Sequence, residues 1–329
     1  MIVVNWNRKE LLRACLRSLG RQESVRFETI VVDNGSGDGS ADMAETEFGA
    51  RVIRNRENRG FCAANNQGMA AAQGDYLALL NNDAEAEPGW LEALREACNR
   101  GPDVGMAASK VLVWEDAGLI DKAGHYIWPD GQNRGRGSGA RDHGQYDREE
   151  EVLWPDGCAC MYRKAMIDRI GGFDEDFFAY GDDAELGLRA RIAGWRCLYT
   201  PRAVARHHRG ATLGKDSARR LTLIERNRVL LALKLFPWSL LWLNPLYTVA
   251  RVAAGAWLAA RGEGDTAHFP GVRGKLAMAG ALLRGDLEAL RLAPRMLRKR
   301  RAVDGLRRLA PGEVRRLILA NRMPLRETV

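Results

Sequence analysis

With 329 residues, 46% hydrophobic and 28% charged, the chain has an ordinary globular composition and the length for one large core, or for a catalytic domain with an appendage. Its six cysteines (Cys15, Cys62, Cys98, Cys158, Cys160, Cys197) include no C-x-x-C pair, which argues against a zinc ribbon, a redox dithiol or a secreted disulfide framework and suits a reducing cytosol. The net charge of +8 is uneven: residues 261–329 hold 16 Lys+Arg against 7 Asp+Glu, and the preceding 260 hold 34 against 35.

Met1 is followed directly by IVVNWN, a strand-like start without a charged leader and long apolar segment, so no secretory signal is read and the protein is expected to stay inside the cell. Strand and helix patterns then alternate, the mark of a parallel α/β sheet. Strands are predicted at 2–4, 29–32, 51–54, 76–80 and 104–108, with helices at 9–19, 40–48, 62–72 and 90–99 between them. The Gly-rich stretch 114–148 breaks the pattern and is expected to be a flexible loop or insertion beside the site. Further helices are predicted at 164–170 and 184–192, with a strand at 196–199. After Lys215 the composition turns to apolar and then Arg-rich helices, which sets a domain boundary at 215: 1–215 catalytic, 216–329 helical.

Three predicted strands end in polar side chains: Asn5 after IVV, Asp33 after TIVV, and Asn81-Asn82-Asp83 after YLALL. In open parallel sheets the ligand crevice lies beyond those ends. Asp33 opens VVDNGSGDGS, a loop that suits a base or ribose contact or a structural turn, and that matches neither a P-loop nor a dinucleotide fingerprint. Asp83 and Glu85 share a face in an extended chain and suit Mg²⁺ or Mn²⁺ with diphosphate oxygens. Asp182 and Asp183 start a helix behind the aromatic loop GFDEDFFAY, which would shield a general base or leave two helix-capping acids. His207, just past a β-like stretch, is a candidate metal or diphosphate contact.

The segments VNWN, VVDNGSGDGS, NRENRGFCAANNQG, LLNNDAE, GGFDEDFFAYGDDAELGLRARIAGW and PRAVARHH follow one another in an order that resembles inverting glycosyltransferase family 2 of GT-A fold, in its rhamnosyltransferase-like bacterial branch. That resemblance implies a nucleotide-sugar donor, dTDP-rhamnose among the candidates, and a lipid-linked glycan or cell-envelope polysaccharide acceptor. It further implies donor contacts from Asn5, Asp33, Asn34, Asn58, Gly60, Asn65, Asn81 and Asn82, a metal at Asp83, and Asp183 as base. The sequence departs from the family pattern at two places: Asn81 stands at the first Asp-x-Asp position, and Asp182-Asp183 stands where Glu-Asp is usual.

Between Lys234 and Arg251 lie 16 uncharged residues, LFPWSLLWLNPLYTVA, too short and too proline-interrupted for a spanning helix. They read as an interfacial element beside a basic tail that would meet an anionic membrane surface, or as a buried helical hairpin. Nucleic acid is disfavoured, because no aromatic residue follows Met278. The overall expectation is a cytoplasmic enzyme, peripheral on the inner face of the membrane. The rivals are a sugar-phosphate nucleotidyltransferase, which lacks its Gly-rich, Arg-containing loop after the first strand, and a non-catalytic nucleotide-sugar-binding scaffold.

Overall fold

The computed structural model describes residues 1–208, 218–261 and 271–328. The chain forms two compact units, Met1–His125 with Gly135–Arg209 and Tyr126–Arg134 with Gly210–Val329. The expected boundary at 215 falls among residues 209–217, outside the described ones.

The first unit begins with β1 (Ile2–Asn5), α1 (Lys9–Leu19), β2 (Ile30–Asp33), α2 (Ser40–Phe48), β3 (Arg51–Arg54), α3 (Gly60–Ala71) and β4 (Tyr76–Leu80). β1, β2 and β4 are short apolar runs buried along nearly their whole length, as a sheet covered on both sides requires. α1 buries Leu12, Cys15, Leu16 and Leu19, one stripe at helical spacing. Then come β5 (Ala84–Ala86), α4 (Trp90–Cys98), β6 (Val104–Val113) and β7 (Ile120–Lys122). A small ribbon, β8 (His125–Ile127) with β9 (Asn133–Gly135), precedes β10 (Glu150–Val152), β11 (Ala159–Arg163), α5 (Lys164–Ile170), α6 (Asp182–Ile192) and β12 (Arg196–His207).

The main sheet runs β10-β12-β6-β11-β4-β1-β2-β3, with β5 on β12 and β7 on β6. β1, β2, β3 and β4 are mutually parallel, whereas β11 runs antiparallel between β4 and β6. Asn5 and Asp33 are register partners at the ends of β1 and β2, so their side chains emerge side by side. β12 is irregular between Thr200 and Val204, around Pro201, then continues and pairs His207 opposite Ala84 of β5. That second half of β12 extends the predicted strand by eight residues and carries the histidine to the turn that holds Asp83.

Residues 114–148 are ordered rather than a loose insertion. Lys110 Nζ lies 2.5 Å from Asp142 and 2.7 Å from Asp147, and the Arg136 guanidinium sits 4.8 Å from the Tyr146 ring centroid. α6 begins at Asp182, two residues before the predicted start, so both acids belong to its first turn. All six cysteines are buried and unpaired.

The second unit holds α7 (Ala218–Leu235), α8 (Trp238–Leu241), α9 (Asn244–Ala260), α10 (Gly271–Leu306) and α11 (Pro311–Ala320). The ribbon tip belongs to it as well. Trp128 Nε1 donates to the Tyr247 carbonyl at 3.1 Å, and Asp130, fully buried, takes Arg251 Nε at 2.6 Å and faces Arg228 Nη1 at 3.6 Å. Glu225 completes this network through Arg228 and Arg251. Gly131 (φ +104°) is required there, because a Cβ would stand 2.6 Å from the Arg228 carbonyl oxygen. Among the described residues no helix is long and apolar enough to cross a membrane.

Candidate active site

Asn5 is the hub where the strands end. Its fully buried side chain donates to Ser40 Oγ at 2.7 Å and Asp33 Oδ1 at 3.2 Å, and its Oδ1 accepts from Asn82 Nδ2 at 2.7 Å. One amide thus locks β1, β2 and the turn after β4 into a single polar floor. Asp33 Oδ2 accepts the Ser36 N–H at 2.9 Å, which closes the loop before α2. Asn34 reaches Asn58 Oδ1 and the Gly60 carbonyl, both at 3.3 Å, and accepts from Asn55 at 2.8 Å. Asn58 in turn accepts the Gly60 N–H at 2.9 Å. Asn65 is not part of this floor: its Nδ2 turns back onto the Phe61 carbonyl, 3.0 Å away in its own helix.

Beyond β4, the Asn81 N–H is tied to the Cys158 carbonyl at 2.7 Å and the Asn81 carbonyl accepts Ala84 N–H at 3.0 Å, making the turn that carries Asp83. Asp83 is 5% exposed, its carbonyl accepts the His208 N–H at 2.9 Å, and its Oδ1 is buried without a hydrogen-bond donor. His207 Nε2 stands 3.4 Å from that oxygen, while Nδ1 lies 2.8 Å from Asp121 Oδ2. Asp121 therefore fixes the ring as a carboxylate partner fixes a metal-ligating histidine. Burial alone would lower the His207 pKa, but Cys158, Asp121 and Asp83 outweigh it and raise it well above the ordinary value. An orphaned carboxylate oxygen facing an oriented imidazole is the donor pair a divalent cation fits. Residues 82–83 form a turn, so extended alternation does not run from Asp83 to Glu85, whose carboxylate lies 4.0 Å from Arg21.

Asp183 lies in the first turn of α6, where its Oδ1 accepts the Ala184 N–H at 2.8 Å. Its Oδ2 is 3.7 Å from His125 Nε2, which is 3.4 Å from Asp156; Lys122 Nζ lies 2.6 Å from that same Asp156 carboxylate. The His125 ring stacks on Trp154 at 5.9 Å. Burial pushes the Asp183 pKa up, His125 and Lys122 pull it down, and Asp156 adds to the rise. His125, Asp156 and Asp183 bring one ligand atom each within 4.8 Å of one another. The Lys122 ammonium already sets a positive charge against Asp156 in this cluster, which suits it to proton handling as well as to a metal. Asp182 is more deeply buried, and burial and then Asp183 hold its pKa well above the ordinary carboxylate range.

The loop before α6 is strained: Phe178 and Tyr180 have φ of +62° and +69°. The Phe178 carbonyl accepts the Phe61 N–H at 2.9 Å, and a Cβ on Gly60 would meet the Phe178 ring at 2.5 Å. Gly60 thus makes room for the Phe178 ring in the loop that leads into α6. Four residues of this centre, Asp121, Lys122, His125 and Asp156, were not singled out in the sequence. Three of them lie in the Gly-rich stretch, whose lack of periodicity hid β7 and β8.

The model of the family described as Glycosyl transferase family 2 matches residues 1–171. The chain belongs to this family. A Mycobacterium tuberculosis relative named N-acetylglucosaminyl-diphospho-decaprenol L-rhamnosyltransferase is 27% identical over 246 residues, covering 67% of this chain and 79% of the relative. The O-antigen biosynthesis protein RfbC of Myxococcus xanthus is 30% identical over 232 residues, 66% of this chain but 18% of that longer protein. Among solved structures, GalNAc-T7 with UDP, GalNAc and Mn²⁺ aligns with a TM-score of 0.57 at 14% identity, over 70% of this chain and 46% of the other. The Pyrobaculum calidifontis mannosyltransferase PcManGT with GDP-Man and Mn²⁺ gives 0.52 at 20%, over 88% and 86%. The fold of this family 2 member is GT-A, a mostly parallel sheet flanked by helices, followed by a helical C-terminal region.

Proposed function

We propose that this family 2 member is an inverting glycosyltransferase that moves a sugar from a nucleotide-diphosphate donor to a lipid-linked glycan or cell-envelope polysaccharide. The observation that carries the reading is the pairing of an orphaned buried carboxylate oxygen, Asp83 Oδ1, with His207 Nε2 in the same unit as the shielded acid Asp183. Asp83 and His207 would hold Mg²⁺ or Mn²⁺, which when bound would supply positive charge against the diphosphate leaving group. Asn5, Asn82 and Asp33 shape the floor on which the nucleoside rests, with Asn34 and Asn58 bracing its far side. Asp183 Oδ2 accepts the proton of the acceptor hydroxyl, and the loop 173–181 keeps bulk water from it. His125 and Lys122 hold Asp183 ionisable against burial and against Asp156. Asp182 stays inside the fold and supports the turn.

The similarity to the mycobacterial rhamnosyltransferase, which spans two-thirds of this chain, supports a rhamnosyl donor and a polyprenyl-diphosphate-linked acceptor. dTDP-rhamnose is the first donor to test. The catalytic part is assigned to residues 1–215, and residues 216–329 to peripheral attachment at the inner face of the membrane. The test is transfer from a panel of nucleotide sugars to lipid-linked acceptors, with and without chelator, followed by assignment of the new anomeric centre. Chelator-sensitive transfer with inversion is expected. Retention of configuration, or donor binding without turnover on any acceptor, would overturn the reading.

A further inference from the structure

α9 is built inside out. Its one charged side chain, Arg251, is 8% exposed and points into the helical unit, where Asp130 and Glu225 bind it at 2.6 and 3.1 Å. Thr248 lies on the same inward side, within 3.4 Å of Arg228. The outward face is apolar: Leu246 (68% exposed), Val249 (65%) and Trp257 (54%) lie along it, and Trp242 (79%) stands just before the helix, at the end of α8. Isolated surface leucines are ordinary, but a continuous apolar stripe on a helix that hides its own charge marks a binding surface.

We infer that the outward face of α8 and α9 is a membrane-docking element that lies in the headgroup region of an anionic leaflet; this deepens the proposed action on a lipid-linked acceptor. Two observations choose a bilayer over a protein partner. Each end of the stripe carries an indole with an arginine over it, Arg300 at 4.6 Å from Trp238 and Arg261 at 3.7 Å from Trp257. An indole with a guanidinium beside it matches the boundary between acyl chains and phosphates. The exposed side of α10 interleaves Leu283, Leu287 and Leu290 with Arg284, Arg291 and Arg298, a basic and apolar mixture complementary to anionic lipid. At 17 residues, α9 is too short to span, so it lies along the surface.

The test is co-sedimentation of the full chain with vesicles of phosphatidylcholine alone or with added phosphatidylglycerol, without donor or acceptor. Wild type should bind the anionic vesicles at low salt and be only partly released at high salt, with indole fluorescence quenched by brominated acyl chains. The double variant Leu246→Asp/Val249→Asp should partition at least about tenfold more weakly, because two inserted positions lose apolar burial and gain charge. Its melting temperature and its donor binding should match wild type. Equal vesicle binding by the double variant would overturn the inference. So would self-association through this face, seen as a wild-type dimer that the variant turns monomeric without any vesicle binding. Vesicle binding in a protein that transfers no sugar would leave the docking face standing and sink only the catalytic reading.

Discussion

Replacing Asp183 by Asn separates proton transfer from binding. The amide oxygen can still accept the Ala184 N–H that holds the carboxylate at 2.8 Å, so the start of α6 keeps its geometry. What disappears is the ability of Oδ2 to take a proton. General-base contributions of about 10²–10⁴-fold correspond to roughly 2.7–5.5 kcal/mol of barrier, so kcat should fall by at least two decades. Donor affinity should stay within about twofold, because Asp183 is no part of the Asn5–Asp33–Asn82 floor. The pH profile supplies an independent check. Burial raises the Asp183 pKa, so wild-type kcat/KM should climb with pH through a value above the usual 3.9 of an aspartate and level off once the base is ionised. That acid limb should vanish in the Asn variant. Initial rates of nucleoside diphosphate release across pH, with Asp182→Asn as the companion, provide the measurement. If Asp183→Asn retains near wild-type kcat, or if Asp182→Asn costs more, the base has been assigned to the wrong neighbour.

Asp83→Ala should abolish transfer and remove the Mn²⁺-dependent part of nucleotide binding in calorimetry while leaving the melting temperature nearly unchanged; wild-type turnover would refute the cation assignment. Asp182→Asn should stabilise the protein at neutral pH. The folded state holds this carboxyl's pKa well above the unfolded value of about 3.9, so its penalty is absent below that pH and grows as pH rises toward the folded pKa; the gain in melting temperature should therefore shrink as pH falls toward about 4. Arg251→Ala leaves Asp130 and Glu225 short of a buried partner and should cost about 3–5 kcal/mol in denaturant unfolding of the helical unit. A loss under about 1 kcal/mol would mean that the network is already balanced by Arg228.

The parallel core was legible because β1, β2 and β4 are apolar runs that stop at polar residues, and the same junctions exposed Asn5, Asp33 and Asp83. β5, β7, β8 and β10 have three residues each, too few for any periodicity to register. The predicted strand at 196–199 is only the first third of β12, because the structure absorbs Pro201 within an irregularity and carries on to His207. The proton-handling cluster was hidden for a different reason. Lys122, His125, Asp156 and Asp183 are spread over some sixty residues, and only the turn-back of the chain through β7 and β11 makes them neighbours. The apolar window at 235–250 was visible, but which side of α9 faces outward depends on Asp130, more than a hundred residues earlier, drawing Arg251 inward.

β7 is three residues long, yet it serves two centres with opposite charges. Asp121 orients His207, and its neighbour Lys122 balances Asp156. Successive side chains on a strand point to opposite faces, so a slip of one residue would put one of the two in the other's place. A slip in one direction would set Lys122 against the imidazole and the cation position and leave Ala123 facing Asp156; a slip in the other would set Asp121 beside Asp156 and Asp183 and leave Ile120 facing His207. Either slip would make one centre self-repelling and strip the other of its charged partner. The pairing of β7 with β6 already contains one irregularity, between Val111 and Leu112, that fixes the frame. The length of the connection 114–119 is therefore a catalytic parameter. Deleting or inserting one residue there would touch no reacting group and would still reverse the charge at one centre and remove it from the other.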